Sequence, residues 1–286
     1  MSAAAASTPP AVSADADTRE RVLTAWLRER GRVMVGYSGG VDSAYLALAA
    51  GRALGPDDVL AVIGRSPSYP AAQWETARAV ADRFGIPVLE VETSELDDPR
   101  YAANPTNRCY FCKTELWSRL APLASARAMT LVDGTNADDL SDWRPGAQAA
   151  REHGVRSPLA ELGFTKADIR ALSARLGLPT WSQPSAPCLS SRLPYGTVVT
   201  PARLAQVEAA EAALRRLGIT GDLRVRHHGA VARVELAQDE LDAWLDPARA
   251  AALAAGVRGA GFQRVVVDLR GFRSGSLNVL AGVVSA

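Results

Sequence analysis

An excess of charge of either sign and long apolar runs are both missing from this sequence. The 286 residues carry 32 lysines and arginines against 31 aspartates and glutamates, a formal net charge of +1. The overall charge therefore demands neither a nucleic acid nor an anionic membrane as a partner. No apolar run reaches membrane-spanning length. Positions 1–17 are mostly alanine, serine and proline, without the basic and apolar segments of a signal peptide, so we expect a disordered tail there and a cytoplasmic protein.

Cysteine and histidine are also scarce. The three cysteines, Cys109, Cys112 and Cys188, are an odd number in a reducing compartment, which argues against a disulfide framework and for metal or redox chemistry. Of the three histidines, His227 and His228 are adjacent, so their side chains would point to opposite faces of a strand, and the third is remote in sequence. We therefore expect no histidine metal site.

Two familiar phosphate-binding signatures, G-x-x-x-x-G-K-[ST] and G-x-G-x-x-G, are absent as well. What the chain has is a short apolar strand that runs through Ser38, Gly39 and Gly40 into a helical pattern. A strand that turns on glycines into a helix makes an anion site, because backbone N–H groups and the positive end of the helix dipole converge there. Phosphate is the expected ligand, and the alternative is a plain strand-to-helix turn that needs flexible residues.

The six residues Ser-Gly-Gly-Val-Asp-Ser that begin at Ser38 resemble the pyrophosphate loop (PP-loop) of the ATP pyrophosphatases. Those enzymes cut ATP between its α and β phosphates to adenylate a substrate. The resemblance implies that Ser38, Gly39, Gly40 and Ser43 hold the departing pyrophosphate. It also implies that Asp42 helps to hold Mg²⁺, a hard ion that takes carboxylate, water and phosphate oxygens together.

Strand-like and helix-like patterns alternate along the chain after the tail. We predict buried strands at 33–36, 59–63, 87–91 and 129–132, and helices at 18–29, after the loop, at 70–84 and around 115–123. A further capped helix at 165–177 is assigned a purely structural role. This alternation predicts the α/β class, with a Rossmann-like parallel sheet whose ligands bind at the carboxyl ends of the strands.

The pattern changes after Gly196. A helix from Thr200, a hairpin of 223–228 and 230–236 around Gly229, one more helix and a closing strand at 265–267 predict a small C-terminal α+β domain. We therefore divide the chain into the tail, a PP-loop domain over 18–196, and a substrate and oligomerisation domain over 197–286.

The first cysteine pair lies ahead of the fourth predicted strand. Cys109 and Cys112 are three residues apart, so one helical turn or a tight loop can aim both thiols at one metal. Lys113, directly after them, can neutralise an ATP phosphate. Small buried cysteines beside a solvated surface lysine explain the same residues, and the pair alone does not decide between the two interpretations.

Small and acidic residues follow the fourth predicted strand. Gly134 and Thr135 are accompanied by Asp138, Asp139 and Asp142, a composition that suits a nucleotide and its metal at the carboxyl end of a strand. The alternative is a turn rich in helix-capping residues.

The third thiol and three arginines come later in the chain. Cys188 follows two prolines on a predicted loop, and Arg192 is near enough to favour its thiolate or to bind an anion. Arg224 and Arg226 are two residues apart on a predicted strand, so their side chains share one face and both can bind one phosphate. The alternatives are a buried loop cysteine beside a surface arginine, and an exposed strand edge with basic residues.

Five segments together resemble the LarE sulfur transferases, which help to build the nickel-pincer nucleotide cofactor. The resemblance runs from about the loop strand to the last strand, and it is carried by residues 38–43, 107–113, 133–146, 187–196 and 224–229. It implies ATP-dependent adenylation of a carboxylate on pyridinium-3,5-dicarboxylate mononucleotide, followed by sulfur delivery that gives a thiocarboxylate. A ring-shaped hexamer and an external sulfur donor are also implied.

The three thiols predict how sulfur is delivered. Some LarE enzymes lack the earlier pair and give up the sulfur of the one cysteine that matches Cys188. With Cys109 and Cys112 also present, three thiolates can hold a [4Fe-4S] cluster and leave one iron open for an extra sulfide. Zinc prefers four protein ligands in structural sites and offers no sulfur store. Sacrificial use of Cys188 is the remaining alternative.

Two other functions use parts of the same pattern. A tRNA-thiolating enzyme can also join a PP-loop to a Cys-x-x-Cys, but the near-neutral charge and the lack of a basic arm count against a nucleic acid partner. An ATP-sensing module would need the loop and not the thiols. The sequence therefore favours an ATP- and Mg²⁺-dependent sulfur transferase with a small mononucleotide substrate and no membrane partner.

Overall fold

The structure is a computed structural model that describes residues 9–140, 144–184 and 186–273. Its helices are α1 (Ala14–Arg30), α2 (Val41–Leu54), α3 (Ala71–Phe84), α4 (Pro99–Ala102), α5 (Arg108–Ala126), α6 (Pro145–Glu152), α7 (Pro158–Glu161), α8 (Lys166–Arg175), α9 (Pro201–Arg216), α10 (Gln238–Trp244) and α11 (Pro247–Gly259). Its strands are β1 (Val33–Gly36), β2 (Val59–Arg65), β3 (Val88–Glu92), β4 (Thr130–Val132), β5 (Leu223–His228), β6 (Val231–Leu236) and β7 (Arg264–Val267).

The chain forms two compact units, each built from three separate segments of the sequence. The first unit contains the chain up to Ser66, then Ala71–Ser94 and Cys109–Ala186. The second contains Pro67–Pro70, Glu95–Arg108 and the chain from Pro187 onward. The loop that carries Cys188 therefore belongs to the second unit, whereas the Cys109–Cys112 pair belongs to the first.

A four-stranded parallel sheet in the order β3-β2-β1-β4 forms the centre of the first unit, as the alternating pattern predicts. Met34 of β1 and Val62 of β2 pack against Trp117 and Leu120 of α5. Gly36 is the last residue of β1 and faces Trp117. A Cβ atom at this position would lie 2.5 Å from the Trp117 ring, so only glycine fits. The sheet therefore delivers the loop after β1 and the segment after β4 side by side, because these two strands are neighbours.

The second unit holds a three-stranded sheet in the order β5-β6-β7. The first two strands form the predicted hairpin around Gly229, which has φ +64°, and β7 runs parallel to β6. Two helices, α10 and α11, connect β6 to β7 where we predicted one. Leu204, Val207 and Leu214 of α9 are buried, whereas Leu217, the C-cap residue of that helix, is 41% exposed.

Helix α1 begins earlier than predicted. The Ser13 hydroxyl accepts a hydrogen bond from the Ala16 backbone N–H at 3.1 Å, so the helix starts at Ala14 and its residue Ala16 is fully buried. Positions 14–17, which we assigned to the tail, are therefore helical, and positions 1–8 lie outside the described residues. None of the described helices is both long and apolar enough to cross a membrane.

Candidate functional site

The predicted anion site lies at the carboxyl end of β1. Gly39 has φ +69°, and a Cβ atom on it would lie 2.5 Å from the Ala77 Cβ, so this position requires glycine for both conformation and space. Gly40 is the N-cap residue of α2 and no described side chain caps this helix. Its first backbone N–H groups therefore remain available to an anion at the positive end of the helix dipole.

Side chains hold this loop in a defined shape. The Ser43 hydroxyl accepts a hydrogen bond from the Ser38 backbone N–H at 3.2 Å, and it lies 3.2 Å from the Ser38 hydroxyl and from the Gly40 carbonyl oxygen. Gln73 of α3 donates to the Ser38 carbonyl oxygen at 2.9 Å. The two predicted loop serines therefore meet each other, and the loop is preorganised for a ligand.

The segment after β4 packs directly against the loop. A Cβ atom on Gly134 would lie 2.9 Å from the Ser43 backbone nitrogen, so glycine is needed for this close approach. The next residue, Thr135, donates its backbone N–H and its hydroxyl to Asp133 at 3.1 and 3.0 Å. The structure thus places Gly134 beside the loop and directs the Thr135 side chain to Asp133.

Asp42 sits between an ammonium group and an amide. Its Oδ2 atom lies 2.5 Å from the Lys166 Nζ, and its Oδ1 atom accepts a hydrogen bond from the Asn136 side chain at 3.2 Å. Lys166 is the first residue of α8, whose predicted cap is confirmed by a reciprocal pair of hydrogen bonds between Thr165 and Asp168. Our assignment of a purely structural role to this helix start missed Lys166. A signal was available, because only two of the 32 lysines and arginines are lysine, and the other is Lys113.

More acidic groups surround this point. Asp139 pairs with Arg144 at 2.6 Å, and burial, with a smaller contribution from the charge of Asp42, raises the pKa of its carboxyl group. Asp138 accepts the Lys166 backbone N–H at 2.7 Å. Asp142 lies outside the described residues. Oxygen ligands of this kind suit Mg²⁺ when phosphate and water oxygens complete the shell, and Asp42 is the carboxylate within the loop itself.

The cysteine pair lies at the start of α5, which begins at Arg108 rather than near residue 115. Cys109 is exposed and Cys112 is partly buried, one helical turn further on. Lys113 holds its ammonium group 5.2 Å from the centre of the Trp117 ring, a cation–π contact within α5. The helical turn thus provides the predicted thiol spacing.

Cys188 is held at the head of the short 3-10 helix Leu189–Arg192 in the second unit. Its carbonyl oxygen accepts hydrogen bonds from the Ser191 hydroxyl at 2.7 Å and from the Arg192 guanidinium at 3.1 Å. Arg192 is buried and also makes a two-bond ion pair with Glu211, with both distances 3.0 Å. The alternative of a surface arginine is therefore wrong, and Arg192 fixes the cysteine loop.

Arg224 and Arg226 are buried, as Arg192 is, with exposed fractions of 7% and 6%. The alternative of an exposed basic strand edge is therefore also wrong. Arg226 pairs with Glu235 at 2.8 Å and donates to the Ser191 carbonyl oxygen at 2.9 Å. Arg224 lies 4.9 Å from the centre of the Phe272 ring. Burial, with the neighbouring charges of Arg192 and Arg226, lowers the pKa of Arg224 to about 10. The shift reflects mainly the loss of hydration around the Arg224 guanidinium, and the positive charges of Arg192 and Arg226 add to it.

The described residues of neither unit form a complete set of metal ligands. Among the described residues of each, no group of three or more histidine, cysteine, aspartate or glutamate side chains is arranged to hold a metal ion. The fit of a metal therefore rests on donor chemistry: thiolates at Cys109, Cys112 and Cys188 suit iron–sulfur or zinc, and the Asp42 carboxylate suits magnesium.

Comparison with known proteins agrees with this geometry. The NAD synthase family profile matches residues 17–119, which include the loop and the cysteine pair. An NH(3)-dependent NAD(+) synthetase of Methanosarcina mazei is 42% identical over 74 residues, 26% of this chain and 29% of that protein. An uncharacterized protein of Synechocystis is 45% identical over 257 residues, 90% of this chain and 95% of the relative.

A second relative matches at full length and has an assigned activity. The pyridinium-3,5-bisthiocarboxylic acid mononucleotide synthase of Lactiplantibacillus plantarum is 37% identical over 265 residues, which cover 91% of this chain and 94% of that enzyme. This likeness extends through both units, well beyond the segment shared with the NAD synthases. The chain accordingly belongs to the LarE family of ATP-using PP-loop sulfur transferases.

Proposed function

We propose that the protein adenylates a carboxylate of pyridinium-3,5-dicarboxylate mononucleotide and converts it to a thiocarboxylate, a step of nickel-pincer nucleotide synthesis. The adenylation step is supported by the uncapped start of α2, where Asp42 is held between Lys166 and Asn136. The substrate is inferred from the full-length likeness to the Lactiplantibacillus plantarum synthase. We place the reaction in the cytoplasm, where thiols stay reduced.

The loop would hold the leaving group of the first step. A carboxylate oxygen of the substrate attacks the α-phosphorus of ATP, the bond to the bridging oxygen breaks, and pyrophosphate departs. Ser38, Gly39, Gly40 and Ser43 would donate to pyrophosphate oxygens, which gain charge as that bond breaks. Magnesium bound at Asp42 would neutralise part of that charge.

The remaining predicted ATP contacts are Lys113, Gly134 and Thr135. Gly134 would act through its close backbone approach to the loop. The Lys113 ammonium group and the Thr135 hydroxyl have other contacts within the first unit and would have to reorient to reach a phosphate. Lys166 adds a cation that the sequence analysis did not include.

The arginine cluster would bind the phosphate of the mononucleotide. Arg224 is the best candidate for direct contact, because its desolvated guanidinium lies close to two other positive charges. Arg226 and Arg192 form ion pairs with Glu235 and Glu211, which would fix the shape of the cluster around that phosphate. A charge-assisted hydrogen bond to phosphate contributes about 1.5–3 kcal/mol.

Sulfur delivery would use Cys109, Cys112 and Cys188 as ligands of a [4Fe-4S] cluster. Such a cluster, bound by three thiolates, would supply a replaceable sulfide from an external donor to the acyl-adenylate. Within the second unit, Arg108, the residue before Cys109, donates to the Ser190 carbonyl oxygen, two residues after Cys188, at 3.1 Å. The rival route is sacrificial. There the Cys188 thiolate displaces AMP, and loss of its sulfur to the product leaves dehydroalanine.

The adenylation step is tested by product analysis. ATP, Mg²⁺ and the dicarboxylate mononucleotide are expected to give AMP and pyrophosphate, and omission of the mononucleotide is expected to abolish both products. ADP and inorganic phosphate as the products would refute the proposal.

Anaerobic preparation separates the two sulfur routes. We expect iron and sulfide in the wild-type protein, and their loss when any one of the three cysteines is replaced by serine. Protein without iron, together with a Cys188 peptide lighter by one H₂S after turnover, would establish the sacrificial route instead. The hexameric assembly implied by the family resemblance is checked by light scattering on the same preparation.

A further inference from the structure

Asn104 has an unusual backbone conformation in a buried position. Its φ angle is +57°, one of two positive values at non-glycine positions in the described chain, and its side chain is fully buried. A left-handed conformation is costly for most residues, and asparagine tolerates it best after glycine. Such a conformation persists only where the surrounding contacts fix it.

Those contacts run to the segment that follows Cys188. The Asn104 side-chain amide donates to the Pro194 carbonyl oxygen at 2.8 Å and lies 3.4 Å from that of Leu193. Its backbone carbonyl oxygen accepts the Gly196 N–H at 2.9 Å. One residue therefore contacts three residues between positions 193 and 196 of the cysteine loop.

The same side chain also contacts Arg108, the residue before Cys109 in the sequence. The Asn104 side-chain oxygen accepts a hydrogen bond from the Arg108 guanidinium, whose Nη1 atom also donates to the Ser190 carbonyl oxygen. Tyr101, three residues before Asn104, shares a 2.6 Å hydrogen bond with the Ser190 hydroxyl. Because Cys109 is the residue after Arg108, this network ties the loop of Cys188 to the segment that leads into the cysteine pair.

The chemistry of the position requires an amide. Asparagine offers two N–H donors for the loop carbonyls and one oxygen acceptor for Arg108, and the structure uses both kinds. Aspartate would keep the acceptor and place an oxygen against the Pro194 carbonyl. Glycine would keep the backbone conformation and the backbone bond to Gly196, and it would remove every side-chain contact of the bridge.

We propose that Asn104 is the positioning residue of the sulfur-transfer step, which holds the Cys188 loop in register with the segment that leads into Cys109. The inference rests on the proposed sulfur transfer for its purpose, but the fixing of the loop is independent of it. Asn104 acts through the loop and makes no contact with ATP phosphates in this assignment.

The test compares Asn104→Gly with Ala128→Gly. Ala128 is the second non-glycine residue with positive φ, at +51°, so its replacement controls for relief of backbone strain. Three rates are measured: pyrophosphate release in the presence of mononucleotide, thiocarboxylate formation, and iodoacetamide alkylation of Cys188 in metal-free protein, located by mass spectrometry. Asn104→Asp is carried in parallel in case the glycine variant does not fold.

We expect Asn104→Gly to alkylate Cys188 about fivefold faster or more, because the loop opens more often. Thiocarboxylate formation is expected to fall about tenfold or more through misplacement of the sulfur, while pyrophosphate release stays within about twofold of wild type. Ala128→Gly is expected to match wild type in all three rates. Unchanged alkylation and transfer in a folded Asn104 variant, or equal losses in both catalytic steps, would overturn the inference. If the wild-type protein itself forms no thiocarboxylate, the proposed function fails and the alkylation rates still decide the role of Asn104.

Discussion

The Lys166 ammonium group lies 2.5 Å from the Asp42 carboxylate, which joins the first turn of α8 to the first turn of α2. Both groups are partly exposed, at 39% and 22% of the side-chain surface. A phosphate bound at the start of α2 would compete with Asp42 for this flexible cation. We therefore predict that Lys166 holds a phosphate of ATP when Asp42 binds magnesium.

Replacement of Lys166 by methionine tests this role. Loss of a charge-assisted phosphate contact is expected to raise the KM for ATP about tenfold or more. The partly exposed ion pair contributes only about 0–1 kcal/mol to folding, so the unfolding free energy should change little. Pyrophosphate release at varied ATP concentration gives the KM, and K166R should recover part of the affinity because it restores the charge with a different shape. An unchanged KM in the methionine variant would remove Lys166 from the ATP site.

The contact between Gly134 and the PP-loop is tested by a single methyl group. A Cβ atom in Gly134→Ala would meet the Ser43 backbone nitrogen at 2.9 Å, so the start of α2 has to shift. We expect a loss of stability of about 1–3 kcal/mol from overpacking and weaker ATP binding. Gly51→Ala, in α2 with no atom within 4 Å of its added Cβ, is the control and should stabilise the protein by about 0.5–1 kcal/mol. Equal behaviour of the two variants in denaturant unfolding and in ATP titration would contradict the close-packing argument.

Arg224 and Arg226 are expected to differ, although they share a strand face. Arg224→Ala should weaken mononucleotide binding about tenfold or more and leave the affinity for ATP unchanged. Arg226→Ala leaves Glu235 buried with Arg233 as its remaining ion-pair partner among the described residues, so it should cost about 3 kcal/mol of folding stability. Calorimetric titration with the mononucleotide, alongside chemical denaturation, separates the two effects. Loss of ATP affinity in Arg224→Ala would refute its assignment to the substrate phosphate.

The sequence was sufficient to predict the parallel sheet and the phosphate loop because both depend on local patterns. Apolar strands that alternate with capped helices predict β1 to β4, and two glycines between a strand and a helix predict the anion site. The burial of Arg224 and Arg226 could not be predicted in this way. It depends on Glu235, which lies opposite Arg224 on β6, and on Phe272, contacts that only the folded chain brings together.

The two residues that the sequence analysis missed have the same explanation. Lys166 is 124 residues from Asp42, and Asn104 is 90 residues from Pro194. Asn104 lies in no motif and Lys166 lies in a helix-capping motif, so nothing within a short window of sequence marks either residue as functional. The scarcity of lysine pointed to Lys166, whereas the positive φ of Asn104 is visible only in the structure.

His227 should make the protein less stable in mild acid. The ring is 3% exposed, packs at an angle against Phe262, and accepts the Gly229 backbone N–H at its Nδ1 atom. Burial, with a smaller contribution from the charge of Arg203, lowers the pKa of His227. Protonation at Nδ1 would also remove the acceptor for Gly229.

The sign follows from the number of protons bound in each state. Below the ordinary histidine pKa, the unfolded chain takes up a proton at His227 that the folded protein does not, so stability falls as the pH falls through that range. One such group contributes a slope of at most about 1.4 kcal/mol per pH unit. Urea unfolding between pH 7.5 and about 5 should therefore show a steeper loss in wild type than in His227→Gln. His153→Gln, which changes a histidine outside this contact, should keep the wild-type slope. If His227→Gln kept it too, the acid sensitivity would have to come from other groups.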